Sequence, residues 1–162
     1  MKKVMLLAVV AAALYGPAVA RADVVTDWNR TMVGGLEAAH VGPQASSRIG
    51  AIVQASVFDA VNGIKRRYTP YQVDPTAPPG ASRRAAAASA AYTALVALIP
   101  SQQPLFDQQL QTTLAEISDD PSDPGQSVIR GLAWGQSVAN DIVAWRGERR
   151  LQRRAPDVCG EH

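Results

Sequence analysis

The chain has 162 residues, of which 47% are hydrophobic and 6% aromatic, with 16 Lys and Arg against 14 Asp and Glu, two His and one Cys. This length corresponds to one domain at most. Two imidazoles are too few for a His-rich metal or acid–base site, and the small charge excess argues against a nucleic-acid binder, which needs clustered positive charge.

The first 22 residues are predicted to be an export signal. Two lysines precede an apolar run from Val4 to Tyr15, and small residues follow that run. Because this run is shorter than the roughly 20 residues that span a bilayer, a cleaved signal is favoured over an uncleaved anchor. We expect cleavage before Asp23, a periplasmic or secreted protein, and no membrane association afterwards. Cleavage would remove three of the sixteen basic residues and leave thirteen against fourteen acidic ones, so the pI near 8.9 belongs to the precursor.

Gly and Pro divide the rest of the chain into segments with helical periodicity, and no strand pattern of useful length is present. The predicted class is therefore all-α, with about five helices in an antiparallel, bundle-like domain over residues 23–146. A Pro-rich stretch is predicted to be an irregular strap over the surface, at residues 65–81. The predicted helices are 23–39, 44–64, 82–99, 101–117 and 126–146.

Two of the predicted helices carry apolar residues on more than one side. Besides its main apolar face, the second helix has Ala51, Ala55 and Phe58, and the last helix has Trp134 and Val138. A helix that is apolar on two sides is covered by neighbours on both. We therefore expect the second helix to be the centre of the assembly, and we expect both helices to require more partners than this chain provides.

No pattern of residues identifies a catalytic, cofactor-binding or metal site. The sequence has no Gly-rich phosphate loop, zinc-ligand spacing or nucleophile elbow. His40 lies near a helix end, where a capping or surface role is favoured because a general base needs a positioned partner. Cys159 lies in a polar tail with no base fixed beside it. The dipeptides Ser47-Arg48 and Ser82-Arg83 have no His at a useful distance, so neither predicts a nucleophile or a phosphate site.

Asp59 is the most informative acidic residue, because it lies on the apolar second helix. A buried carboxylate requires hydrogen-bond partners, and so does a buried amide such as that of Asn62 on the same helix. A structural role is favoured for Asp59, with Arg48, Arg83 and Arg84 as candidate partners.

Two polar segments complete the chain. The turn cluster at residues 119–125 contains Asp119, Asp120 and Asp123 but lacks the Gly and the distal Glu of a calcium loop, so a solvated turn is predicted. Residues 147–162 are rich in Arg and have no usable period, so they are predicted to be a disordered basic tail.

Two stretches resemble a known family. Residues 23–29 read DVVTDWN, and residues 48–64 read RIGAIVQASVFDAVNGI. They are similar to the opening and to the alanine-rich (F/Y)DAVN-(A/G)-I helix of bacterial vanadium-dependent haloperoxidase-like proteins, in the type 2 phosphatidic acid phosphatase superfamily. The order of the later segments, up to Arg146, also follows that family.

The resemblance implies an α-helical bundle of which this chain has the N-terminal part. In the family, a vanadate or phosphate pocket is built from a Lys and an Arg before a Pro, a Pro-Ser-Gly-His segment, and a Ser-Arg segment followed by a His and an Asp. None of these stands in this sequence, so no catalytic, cofactor-binding or metal residue is carried over. Vanadate is implied for full-length members only. The Arg-rich ending departs from the family, and a frameshift or premature stop near Gly147 would produce it.

Three functional hypotheses follow. The first is an exported, truncated haloperoxidase-like or acid-phosphatase-like protein that is inactive alone, whose missing C-terminal half would cover the two-sided helices. The second is a small exported helical module that binds a partner, or a second copy of itself, through exposed apolar faces. The third is a catalytic subunit completed by another chain. None of the three involves nucleic acid.

Overall fold

The computed structural model describes residues 23–118 and 123–152. The predicted all-α class is confirmed, since the described residues form five α-helices and no strand. A single 3-10 turn, Pro100–Gln102, precedes the fourth helix. The helices are α1 (Val24–Ala38), α2 (Pro43–Lys65), α3 (Arg83–Leu98), α4 (Gln103–Ser118) and α5 (Gly125–Gln152).

The helix ends follow local sequence signals. Ser82 caps α3 as predicted, because its hydroxyl accepts the Ala85 N–H at 3.2 Å. Asp23 stands at the N-cap of α1 but its side chain makes no cap hydrogen bond. Helix α5 continues past Arg146 to Gln152, so this part of the predicted tail is helical. A single Gly inside a helix costs only about 1 kcal/mol, so Gly147 does not end α5. The predicted signal and residues 153–162 lie outside the described residues.

Helix α3 is the centre of the assembly and contacts all four other helices. Its alanines are buried on nearly every side of the helix, from Ala85 to Ala91 and again at Ala94. An alanine adds one methyl group to the backbone, so neighbouring helices can approach α3 closely on every side. The prediction that α2 is the centre is therefore wrong.

The two helices predicted to be covered on more than one side each leave one apolar side without a neighbour among the described residues. In α2 the Val53 and Ala60 face is buried, whereas Ala51 and Phe58 are exposed. In α5 the buried stripe runs through Trp134, Val138 and Ile142, and Ile129 on the opposite side is 59% exposed. Apolar periodicity located the buried stripe of α2. In α5 the predicted second side, with Trp134 and Val138, is buried, and Ile129 on the predicted main side is exposed.

The backbones of α3 and α5 lie against each other at two glycines. A Cβ atom on Gly131 would stand 2.5 Å from the Ser82 carbonyl oxygen, and one on Gly135 would overlap the Ala86 carbonyl oxygen. Cross-helix hydrogen bonds accompany this contact, since the Ser89 hydroxyl donates to the Leu132 carbonyl at 2.8 Å. Any side chain larger than a hydrogen atom at these two positions would push the helices apart.

Among the described residues, no single helix is long and apolar enough to cross a membrane. The consecutive segments Arg83–Leu98 and Pro100–Ser118 reach the required length and composition only when taken together, and they are bent by 119° relative to each other.

Candidate functional site

The Asp59 carboxylate lies at the junction of α2 with the strap, which in the structure is the irregular segment 66–82. Asp59 is 1% exposed. Its Oδ1 accepts the Tyr71 N–H at 2.7 Å, and its Oδ2 accepts the N–H groups of Gln72 and Val73 at 2.8 Å each. Three backbone donors therefore satisfy this buried carboxylate and hold the strap on the helix.

The arginines named as candidate partners of Asp59 lie elsewhere. Arg48 donates from Nη2 to the Arg146 carbonyl at 3.4 Å, and the Nη1 atom of Arg84 is 3.8 Å from the Asp123 carboxylate. Arg83 is exposed at the start of α3. The expected ion pair is wrong because the strap folds back over α2 and brings its own amides to the carboxylate. The structural role predicted for Asp59 agrees with this arrangement.

Asn62, one helical turn after Asp59, holds an earlier part of the strap. Its Oδ1 accepts the N–H groups of Arg67 and Tyr68 at 3.2 and 3.0 Å, and its Nδ2 donates to the Tyr68 carbonyl at 2.8 Å. The two side chains together fix the course of the strap from residue 67 to residue 73. The Tyr71 ring then meets the Trp145 ring edge-on, with centroids 5.7 Å apart, which connects the strap to α5.

Ala60 and Gly63 form the contact between α2 and α5. The Trp134 indole N–H donates to the Ala60 carbonyl at 2.8 Å, and the indole ring packs on Gly63. The Gly63 carbonyl in turn accepts the Ala77 N–H at 3.1 Å. The DAVNG segment, residues 59–63, is therefore the place where α2, the strap and α5 are joined.

A cleft of about 400 Å³ opens beside the DAVNG segment, between α1, α2 and the beginning of the strap. We call it the α2 cleft. Its apolar wall is formed by Val25, Val57, Phe58 and Val61, and Tyr68 stands beside Phe58 with ring centroids 6.3 Å apart. The remaining lining residues are polar or basic: Gln54, Asn62, Lys65, Arg67 and Arg83.

The electrostatics of the α2 cleft are one-sided. Lys65, Arg67 and Arg83 line it, and no carboxylate does. Arg66, which lies between two of them in sequence, pairs instead with Asp74 at 2.8 Å and does not line the cleft. Within the described residues no acidic side chain forms an ion pair with the three cleft cations. Coulomb attraction to an anion in the cleft is therefore not offset by a carboxylate among the described residues that line it.

His40 is a helix-capping residue, in agreement with the capping interpretation. It has φ of 51°, its N–H donates to the Glu37 carbonyl at 3.0 Å, and the Val41 N–H donates to the Leu36 carbonyl at 3.0 Å. This pair of hydrogen bonds is the Schellman motif that ends many helices, with His40 at the position where Gly is preferred. Its imidazole is exposed.

The other polar candidates also have structural partners or lie outside the described residues. The Ser47 hydroxyl donates to the Pro43 carbonyl at 3.0 Å. Of the acidic turn, Asp123 lies near Arg84, while Asp119 and Asp120 lie outside the described residues, as does Cys159. In the described part of the chain, no group of three or more His, Cys, Asp or Glu side chains is placed to hold a metal ion.

Sequence reasoning missed the α2 cleft. Its three cations come from the end of α2, the strap and the start of α3, and only the path of the strap brings them together. The one sequence signal was the basic run Lys65–Arg67 directly after an apolar helix. That run does not show that Arg66 turns away from its two neighbours.

Comparison with known proteins adds no assignment, since no family model, curated protein or solved structure matches the chain.

Proposed function

We propose that this chain is the exported N-terminal scaffold of a protein similar to vanadium-dependent haloperoxidases and acid phosphatases, and that it has no turnover without the pocket motifs absent from its sequence. The observation that carries the proposal is the use of the DAVNG segment. Asp59 and Asn62 bind the strap, while Ala60 and Gly63 receive Trp134. The motif that carries the family resemblance thus joins structural elements, as a scaffold motif would.

The uncovered sides of α2 and α5 support the same proposal. Ala51 on α2 and Ile129 on α5 are exposed on helices whose composition favours contact on more than one side. Additional helices that carry the pocket motifs would cover these sides and remove their apolar surface from water.

The test has an enzymatic and a genetic part. Purified protein is assayed for halide oxidation with vanadate and hydrogen peroxide, and for hydrolysis of phosphate monoesters. We expect no turnover in either assay, and robust activity in one of them would contradict the proposal. Sequencing of the locus downstream is expected to show a reading frame that encodes the Pro-Ser-Gly-His segment.

The α2 cleft favours a second candidate, a small exported binding module. A cavity with an apolar wall and three cations that form no ion pair with a described acidic side chain is a feature that a scaffold does not need, and a binding protein does. The two candidates differ in whether the chain folds stably without further helices. A cooperative thermal unfolding of monomeric protein would favour the module, whereas loss of a cooperative transition, or aggregation that the downstream helices prevent, would favour the scaffold.

A further inference from the structure

We propose that the α2 cleft binds an amphipathic monoanion: an organic acid with an apolar body and one terminal acid group. The inference goes beyond the scaffold proposal and does not depend on it, because it concerns only side chains that this chain already brings together.

The apolar wall accounts for the body of the ligand. Val57, Phe58 and Val61 face the cleft from one helix, and Val25 faces it from α1. Phe58 remains 40% exposed. A volume of about 400 Å³ is in the range of small-molecule sites, and burial of a hydrocarbon body against this wall would remove apolar surface of both partners from water.

The side-chain amides of the wall already have partners within the protein, which argues against a polar body. The Gln54 side-chain amide donates to the Asn29 side chain, and the Asn62 amide is used on the strap. A sugar or a base placed here would lose its hydrogen bonds to water and find few new ones in the wall.

The basic residues account for the acid group. Lys65 and Arg83 line the α2 cleft and also an adjoining cavity of about 640 Å³, which Arg84, Arg130 and Asp123 line as well, with the Asp123 carboxylate 3.8 Å from Arg84. They therefore stand at the boundary between the two cavities, and Arg67 lies on the strap side of the α2 cleft. A carboxylate or sulfonate at this boundary would accept charge-assisted hydrogen bonds while the body stays on the wall.

The direct test is calorimetric titration of the purified protein with three probes that carry a straight alkyl chain of seven or eight carbons, kept below their micellar concentration or solubility limit: octanoate, 1-octanol and octyltrimethylammonium. We expect saturable binding of octanoate at one site, about tenfold weaker binding of octanol, and none of the cationic probe. Octanoate binding should weaken as salt is added. Absence of octanoate binding up to about 10 mM, or equal binding of octanoate and octanol, would overturn the proposal.

Variants locate the site. Arg83→Gln and Lys65→Gln are each expected to weaken octanoate binding about tenfold and to leave octanol binding unchanged. Arg66→Gln is the matched control, since it removes the same charge from the same basic run without touching the cleft, and its octanoate affinity should equal that of the parent protein. Phe58→Ala should weaken both octanoate and octanol. Equal losses in Arg66→Gln and Arg83→Gln, or an unchanged octanoate affinity in Phe58→Ala, would show attraction to general surface charge and refute a site in the cleft.

These outcomes are distinct from those of the scaffold test. The octanoate titration reports on the α2 cleft whether or not the protein turns over a halide or a phosphate ester, so either proposal can fail alone.

Discussion

The Trp134 indole occupies the space that a Cβ atom on Gly63 would fill. Such an atom would stand 2.5 Å from Cζ2 of the indole, closer than carbon atoms approach in folded proteins. The same indole donates its N–H to the Ala60 carbonyl, so ring and hydrogen bond together fix the distance between α2 and α5.

Gly63→Ala is therefore expected to destabilise the protein. Because the rigid indole cannot move without loss of its hydrogen bond, we expect a decrease of about 1–3 kcal/mol in the free energy of unfolding, measured by urea denaturation. Gly34→Ala is the control. Gly34 lies in α1, and a Cβ atom on it would meet no atom within 4 Å. The control should gain about 0.5–1 kcal/mol from helix propensity. A similar gain for Gly63→Ala would contradict the packing described for Trp134.

Asp59→Asn should release the strap. The carboxylate accepts three backbone N–H groups, whereas an amide places an NH₂ group against at least one of them and removes the charge. We expect a loss of about 3 kcal/mol, together with faster hydrogen exchange at the amides of Tyr71, Gln72 and Val73.

Asp74→Asn provides the comparison for that variant. Asp74 pairs with Arg66 on the surface, where an ion pair contributes little, so its loss should cost less than about 1 kcal/mol and leave the exchange of the strap amides unchanged. Equal effects of the two variants would mean that Asp59 does not anchor the strap.

The pKa of Tyr92 should lie above the ordinary value for a tyrosine. A hydrogen bond from its hydroxyl to the Asp107 carboxylate, 2.7 Å long, raises the pKa of Tyr92 above 10.0, and burial and the Asp107 charge raise it further. The phenol thus holds its proton more tightly in the folded state, so its contribution to stability is complete below the unfolded pKa and is lost as pH rises through the folded pKa.

Ultraviolet titration of the phenols measures this shift. Asp107→Asn should lower the pKa of Tyr92 towards 10.0, because it removes the charge that favours the protonated phenol. A Tyr92 transition that does not move in this variant would exclude Asp107 as the main cause.

His40→Gly should stabilise the protein. His40 has φ of 51°, a conformation that costs a residue with a Cβ atom about 1 kcal/mol and costs Gly nothing. We expect a higher melting temperature for His40→Gly and little change for His40→Ala, which keeps the Cβ atom. If Ala stabilised as much as Gly, the gain would come from the loss of the imidazole and not from the backbone.

The sequence predicted the helices well because their signals are local. Pro43 and Ser82 mark the starts of α2 and α3 by their own chemistry, and the apolar period locates the buried stripe of α2 but not that of α5. The centre of the assembly was predicted wrongly because an alanine on α3 gives almost no amphipathic signal, although its small size is what admits neighbours on every side.

The partners of Asp59 and the α2 cleft depend on tertiary structure. Nothing near Asp59 in the sequence indicates that amides twelve to fourteen residues later will reach it. Lys65 and Arg83 are separated by the whole strap, so their proximity depends on the same fold-back. Buried polar residues on a helix thus predicted that partners exist, but the path of the strap determined which ones.

The contact of Gly131 and Gly135 with α3 also affects when the protein can fold. Helix α5 follows the other four described helices in the chain, and until it arrives the alanine face of α3 that it covers remains open to solvent. The hydrogen bond from Trp134 to Ala60 likewise joins residues 74 positions apart. A nascent chain that ends before α5 therefore cannot close this part of its core, so the contact between α3 and α5 forms only after most of the domain has been synthesised.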